Sequence, residues 1–112
     1  MADPTIIDVI RRYLRNLAQQ GILARMGVLF GSHATGHPDQ WSDIDLLVVS
    51  PAFDGTFSRD AIDSLWYVAA CTDSRIEPIP CGERQWEEDT ATPIIEVARR
   101  EGVQVTPENL DR

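Results

Sequence analysis

Two carboxylates stand two residues apart in Asp43-Ile44-Asp45, at the opening of the apolar run Leu46-Leu47-Val48-Val49. Alternate side chains of a strand share a face, so both acids project from one side while Ile44 and Leu46 project from the other. Carboxylates at that spacing repel each other unless a cation lies between them. Hard oxygen donors suit Mg²⁺, which is usually held by one or two carboxylates together with substrate phosphates. The plainer alternative is a loop cap next to a wet strand start, where two acids cost little. Gly31-Ser32, directly after the apolar run Gly27-Val28-Leu29-Phe30, favours the chemical reading. Glycine lets the backbone turn sharply and approach a ligand, and a serine hydroxyl with neighbouring N–H groups can receive phosphate oxygens. A phosphate turn leaving one strand and an acid pair on the next can converge on one nucleotide–metal complex.

The elements that must hold these residues are readable from hydrophobic spacing. From Thr5 to Gln20 the residues Ile6, Ile10, Tyr13, Leu14 and Leu17 recur at helical intervals, and Gly21 follows as a terminating residue. Strands are expected over 25–30 and 43–49, each apolar on both faces and therefore covered on both sides. The intervening segment 31–42 reads as a loop with room for one helical turn. Residues 51–56 form a turn, and Ile62, Leu65, Trp66 and Ala69 mark a second amphipathic helix over 58–71, with Trp66 in its core stripe. A strand over 75–79 follows, then a short helix at 83–86. A last helix has Thr92 as cap and Pro93 at its first turn, stops at Gly102, and leads into a short strand at 103–105. The expected domain is residues 1–106, with 107–112 as a loose tail.

A chain of 112 residues, 43% hydrophobic, is long enough for one core. Every one of its ten basic residues is arginine, and the net charge is −8. The lack of lysine excludes lysine Schiff-base chemistry, and no basic patch stands out that would support a long nucleic-acid footprint, so nucleic acid is not an expected partner. No stretch of 18 apolar residues occurs and the N-terminal residues lack the order of a secretory signal, so no membrane span and a cytoplasmic location are expected. Cys71 and Cys81 read as reduced side chains, and their spacing to His33 and His37 matches no zinc pattern. Trp41, beside Ser42-Asp43, is placed either to stack on a base or to lid the core. Arg84, Arg99 and Arg100 read as solvated helix faces.

Gly31-Ser32, ten residues, then Asp43-Ile44-Asp45-Leu46-Leu47-Val48 resembles the signature of the nucleotidyltransferase superfamily that includes DNA polymerase beta and kanamycin nucleotidyltransferase. The order of elements and the late segment Ile94-Ile95-Glu96-Val97-Ala98-Arg99-Arg100-Glu101-Gly102-Val103 are similar to the minimal nucleotidyltransferase, or MNT, domains. The resemblance implies an α/β fold with a short mixed sheet backed by helices. It implies a third carboxylate on a later strand, for which Glu77 is the candidate and Asp73, in a Thr-Asp-Ser turn, the rival. Pro78 biases Glu77 towards an extended backbone and points to an edge or end of the sheet. Metal ligands and catalytic residues would then be Asp43, Asp45 and Glu77, with nucleotide contacts at Gly31, Ser32, His33 and Ser42. The cofactor would be Mg²⁺, as one or two ions, with Mn²⁺ as a substitute.

The implied reaction moves a nucleoside monophosphate, AMP from ATP, onto a hydroxyl. MNT proteins are often antitoxins paired with helical HEPN toxins, so the implied acceptor is a toxin hydroxyl in a toxin–antitoxin system, and a homo-oligomer is compatible with this. One departure from the family pattern matters. His33 and Thr35 occupy positions where many minimal domains carry arginine, and a neutral histidine does not offset phosphate charge. The alternative reading is therefore a catalytically weak or inactive module that neutralises a helical partner by contact.

Overall fold

The computed structural model describes residues 3–35, 43–56 and 58–108. Helix α1, Pro4–Gln19, starts where the Asp3 carboxylate accepts the Thr5 N–H at 2.8 Å and Pro4 occupies the first turn. Its apolar residues Ile6, Val9, Ile10, Tyr13, Leu14 and Leu17 lie on one face, and all are buried. Strand β1, Met26–Phe30, leads into a single helical turn, α2, Ser32–Thr35. Strand β2, Ile44–Val49, is followed by a 3-10 turn, Pro51–Phe53, and by helix α3, Arg59–Thr72, whose cap Ser58 accepts the Ala61 N–H. Strand β3, Ile76–Cys81, helices α4, Glu83–Glu88, and α5, Pro93–Glu101, and strand β4, Val103–Val105, complete the chain order.

The sheet order is β3-β2-β1-β4. β1 pairs antiparallel with both β2 and β4, whereas β2 and β3 are parallel. This is the mixed sheet expected from the sequence. A parallel pair needs a long crossover, and α3 supplies it. α1 and α3 cover one face, packing Ile10, Leu14, Leu65 and Val68 onto Leu29, Ile44, Leu46, Val48 and Ile76. The Tyr13 hydroxyl donates to the Leu65 carbonyl at 2.9 Å and ties the two helices together. At Gly27 an added Cβ would come within 2.9 Å of the Leu46 side chain, so glycine lets the helical layer sit close on the sheet.

The second face is shorter. Trp86, Ile95 and Ala98 from α4 and α5 pack on Met26, Val28, Phe30, Leu47, Val49 and Cys81. Arg99 is not a solvated helix residue. Its guanidinium donates to the Trp86, Gln85 and Asp89 carbonyls at the end of α4 and lies 5.5 Å from the centroid of the Trp86 ring. The last carbonyls of a helix have no partner within it, and Arg99 satisfies them while adding a cation at the negative end of the dipole.

β3 is an edge strand with two prolines, Pro78 and Pro80. The carbonyls of Arg75 and Cys81 accept from Ile44 and Ser50, so by alternation the odd-numbered residues turn their backbone towards β2. Both prolines therefore fall at outward positions, where they remove no ladder hydrogen bond and blunt the edge against further pairing.

Trp66 departs from the expected core stripe and is half exposed, at 49%. The buried face of α3 is set by Leu65, Val68 and Ala69, and Trp66, one position on, is rotated about 100° away from Leu65. Trp41 lies outside the described residues, and the expected tail at 107–112 does so over 109–112. Pro107 itself is held, its carbonyl accepting from Arg15 Nε at 2.8 Å. Among the described residues no helix is long and apolar enough to cross a membrane.

The turn between α4 and α5 gives a test of this layer. The Asp89 carboxylate accepts from the Thr92 hydroxyl at 2.7 Å and from the backbone N–H groups of Ala91 and Thr92, which hold its pKa down to about 2. A carboxyl whose folded pKa lies below the unfolded value of about 3.9 stabilises the fold above that pH and loses the contribution as pH falls towards 2. Asp89→Asn should therefore be less stable than the parent in urea unfolding at pH 6, and the difference should shrink between about pH 4 and pH 2.

Candidate active site

The site begins where β1 ends. Gly31 has φ +77°, in the left-handed region, and its carbonyl accepts the Ala34 N–H as the chain turns into α2. A Cβ at Gly31 would lie 2.4 Å from Asp45 Oδ2. Glycine is thus required twice, for the turn and for the approach of the backbone to the carboxylate. The turn at Gly31 is brought directly against Asp45, one of the two acids of the Asp-Ile-Asp motif.

Asp45 occupies the second position of β2, opposite Phe30 on β1 and opposite Glu77 on β3. Asp43 immediately precedes the strand and is exposed. By strand alternation Asp43 and Asp45 share the face of Leu47 and Val49, which is the face α4 and α5 cover only in part. Leu47 and Val49 lie under those helices. The carboxylate end of the same face is where the chemistry-bearing residues gather.

The three acids feel one another. Asp45 is pushed above the ordinary carboxylate range, first by burial and then by the negative charge of Asp43, and the nearby His33 pulls it partly back. Glu77 is pushed up as well, first by a hydrogen bond with the Asp43 carboxyl, then by burial and by the charges of Asp43 and Asp45. Among the described residues no three acidic, histidine or cysteine side chains already converge as a metal cage. Asp45 and Glu77 are instead register neighbours on adjacent strands, with Asp43 just before β2. The donor set still suits a hard divalent ion, since it offers carboxylate oxygens only, shares one strand end, and carries repulsion that a cation would remove.

Asp73, the rival third carboxylate, has other work. Its Oδ1 accepts the Arg75 N–H at 2.9 Å and Arg75 Nε at 3.1 Å, and its Oδ2 accepts Nη2 at 2.8 Å. The Arg75 guanidinium holds Asp73 below the usual carboxylate range. The Arg75 carbonyl in turn accepts the Ile44 N–H at 2.8 Å. This fork-shaped pair anchors the start of β3 against the start of β2, in the register that sets Glu77 beside Asp45. Sequence reading missed this positioning role, although an Asp two residues before an Arg at a strand start was the available signal.

His33 is only 5% exposed, so it is packed within the fold and not a solvated loop residue. Ser32 lies in α2, and Ser42 falls outside the described residues, 36–42 among them. A cleft of about 510 Å³ beside Asp54, Arg84 and Glu88 contains none of the three carboxylates.

Residues 8–103 match the model of the nucleotidyltransferase domain family. No curated protein matches the chain. Among solved structures, the fold is similar to a toxin–antitoxin complex with AMP-PNP, at a TM-score of 0.56 and 22% identity over 84% of this chain and 70% of the other. A Sulfolobus solfataricus protein assigned as a nucleotidyltransferase aligns with a TM-score of 0.55 and 17% identity over 88% of this chain and 77% of its own. The toxin–antitoxin pair MntA–HpeT, carrying two aspartate-to-glutamate substitutions, aligns with a TM-score of 0.53 and 20% identity over 84% and 70% of the two chains. These structures share the α/β architecture described above.

The glycine at the turn can be tested against a matched control. Gly55 also has a positive φ, +68°, but nothing lies within 4 Å of a Cβ added there. Gly55→Ala should cost about 1–2 kcal/mol, the backbone term alone. Gly31→Ala should cost about 1–3 kcal/mol more, because Asp45 must also be displaced. Equal losses in urea unfolding would show that the turn and the carboxylate are not coupled.

Proposed function

The chain belongs to the nucleotidyltransferase domain family, and from that premise we propose that it moves a nucleoside monophosphate, AMP from ATP, onto a hydroxyl of a partner protein. The observation that carries this reading is the β2–β3 register, which pairs Asp45 with Glu77 beside Gly31 and Asp43. Family membership alone would be compatible with a domain that had lost its acids. Here all three sit at one strand end.

In this reading Asp43 and Asp45 would hold Mg²⁺ with the nucleotide, and Glu77 would complete the set on the acceptor side. A divalent ion bound there neutralises phosphate charge and lowers the pKa of the acceptor hydroxyl. The Gly31-Ser32 turn presents backbone N–H groups to the phosphates, with His33 and Ser42 as further nucleotide contacts. The acceptor oxygen attacks the α-phosphorus in line, its proton leaves on the Glu77 side, the bond from the α-phosphorus to the bridging oxygen breaks, and pyrophosphate departs. The protein positions and neutralises, and forms no covalent bond itself.

Two of the similar structures are toxin–antitoxin pairs, which supports a separate protein as the acceptor. We take that partner to be a helical HEPN-type toxin, with the reaction in the cytoplasm. A second reading has an observation of its own. His33 stands in a family arginine position and is buried, so it does not replace the arginine's exposed, permanent charge. A contact-only antitoxin, which neutralises its partner without turnover, fits that feature.

The two readings separate in one experiment. The domain is incubated with Mg²⁺, ATP labelled at the α-phosphate and the protein encoded beside it or co-purifying with it. Transfer predicts label on that protein, reduced at least about 100-fold in Asp45→Asn and Glu77→Gln, since even indirect partners of a metal are worth 10–100-fold. Co-purification should survive both substitutions. Complex formation and neutralisation without label, unaffected by either change, would establish the contact-only antitoxin instead.

A further inference from the structure

Beyond the carboxylate end, α1 carries a feature that the nucleotidyl-transfer reading does not use. Asp8, Arg11, Arg12 and Arg15 line a cleft of about 310 Å³. Positions 8, 11, 12 and 15 fall on one side of a helix, opposite the buried Ile6, Val9, Ile10, Tyr13, Leu14 and Leu17. Three arginines against one aspartate leave a net charge of +2 in this lining, on a chain whose net charge is −8. The sequence, read by composition, shows no basic patch. Helical geometry makes a local one.

The charges are only weakly neutralised. Arg11 Nη1 lies 4.0 Å from the Asp8 carboxylate, the outer limit of an ion pair, and Asp8 is 77% exposed. Among the described residues neither Arg12 nor Arg15 forms an ion pair. Arg15 spends its Nε on the Pro107 carbonyl, which fixes the side chain without cancelling its charge. Asp73 feels the Arg12 charge but is itself paired with Arg75. Arg11 is 27% exposed, and its Nε is buried with no acceptor among the described residues. A guanidinium stays charged at any working pH, and leaving one of its donors buried and unsatisfied is costly. A multivalent anion over this face would supply the compensating charge.

We propose that the Arg11-Arg12-Arg15 face of α1 is a second anion site, binding a phosphate group carried by a small molecule. A phosphate dianion matches the +2 lining and offers several acceptor oxygens to forked guanidiniums, which a single carboxylate does not. From Arg11 to Arg15 the helix rises about 6 Å, room for one phosphate or a pyrophosphate and not for a run of backbone phosphates. The acidic remainder of the surface opposes a longer nucleic-acid track. This assignment is independent of the transfer reaction, and either can fail without the other.

The test is an amide-resolved NMR titration of the whole chain with orthophosphate, pyrophosphate and AMP, in EDTA so that no metal is bound, at ionic strength fixed with chloride. The three ligands share the phosphate and differ in what carries it. Saturable shifts centred on residues 8–15 are expected, strongest with pyrophosphate, and they should persist in Asp45→Asn. Arg12→Ala, at an exposed position, should weaken binding at least about tenfold, the loss of one charge-assisted contact. Arg12→Lys should fall between the two, because it keeps the charge and loses the fork. An unchanged urea midpoint in both variants excludes misfolding as the cause. Shifts no larger than with chloride, shifts centred on Gly31 and Asp45, unaltered binding in Arg12→Ala, or binding only to oligonucleotides and increasing with their length would each overturn the proposal.

Discussion

The gathering of three carboxylates at one end of one sheet is the constraint around which this protein is arranged. Burial, then the charge of Asp43, raises the cost of ionising Asp45, and Asp43, burial and the charge of Asp45 raise it for Glu77. The parallel pairing of β2 with β3 sets the constraint, since it places Glu77 directly opposite Asp45. The Asp73–Arg75 fork and the Arg75-to-Ile44 hydrogen bond keep the pairing in register. Slipping β3 by one residue would turn Glu77 to the other face of the sheet, into the layer packed by α1 and α3. The glycine turn follows from the same arrangement, because only a residue without a Cβ can pass so close to Asp45.

The two sides of the sheet divide the labour. One is sealed by α1 and α3 over a continuous apolar layer, and the buried Ile10, Leu14, Leu65 and their neighbours each contribute about 1.5–3 kcal/mol of transfer energy. The other is sealed by α4 and α5 over Leu47, Val49 and Cys81, and the Arg99 clamp joins those two helices to each other. Stability is thereby concentrated away from the carboxylates, and the site can carry unfavourable electrostatics on a rigid support.

Much of this was legible in the sequence, for identifiable reasons. Helical spacing in Ile6 to Leu17 and the continuous apolar runs located α1, β1 and β2 to within a residue or two. The Gly31-Ser32 and Asp43-Ile44-Asp45 motifs could be read because both are local, with chemistry set by residue type and a fixed spacing. The rest depends on neighbours distant in the chain. Nothing in Arg99 itself reveals that its acceptors are carbonyls 10 to 14 residues earlier. Trp66 was misplaced because Leu65 and Trp66 are adjacent apolar residues, and periodicity alone does not say which of them faces the core. His33 reads as a loop residue until α2 folds it into the structure, and the arginines of α1 look scattered until the helix stacks them. Ser42 and Trp41 lie outside the described residues, and their roles stand as sequence readings only.

The central claim is that the three carboxylates form one cation site. Paramagnetic broadening tests it most directly, with substoichiometric Mn²⁺ added to the ¹⁵N-labelled chain. The account predicts selective loss of the Gly31, Asp45 and Glu77 amide signals, reversed by excess Mg²⁺ and absent in Asp45→Asn. Broadening centred on the acidic residues of α4, Glu83, Glu87 and Glu88, or no selective broadening at all, would contradict it.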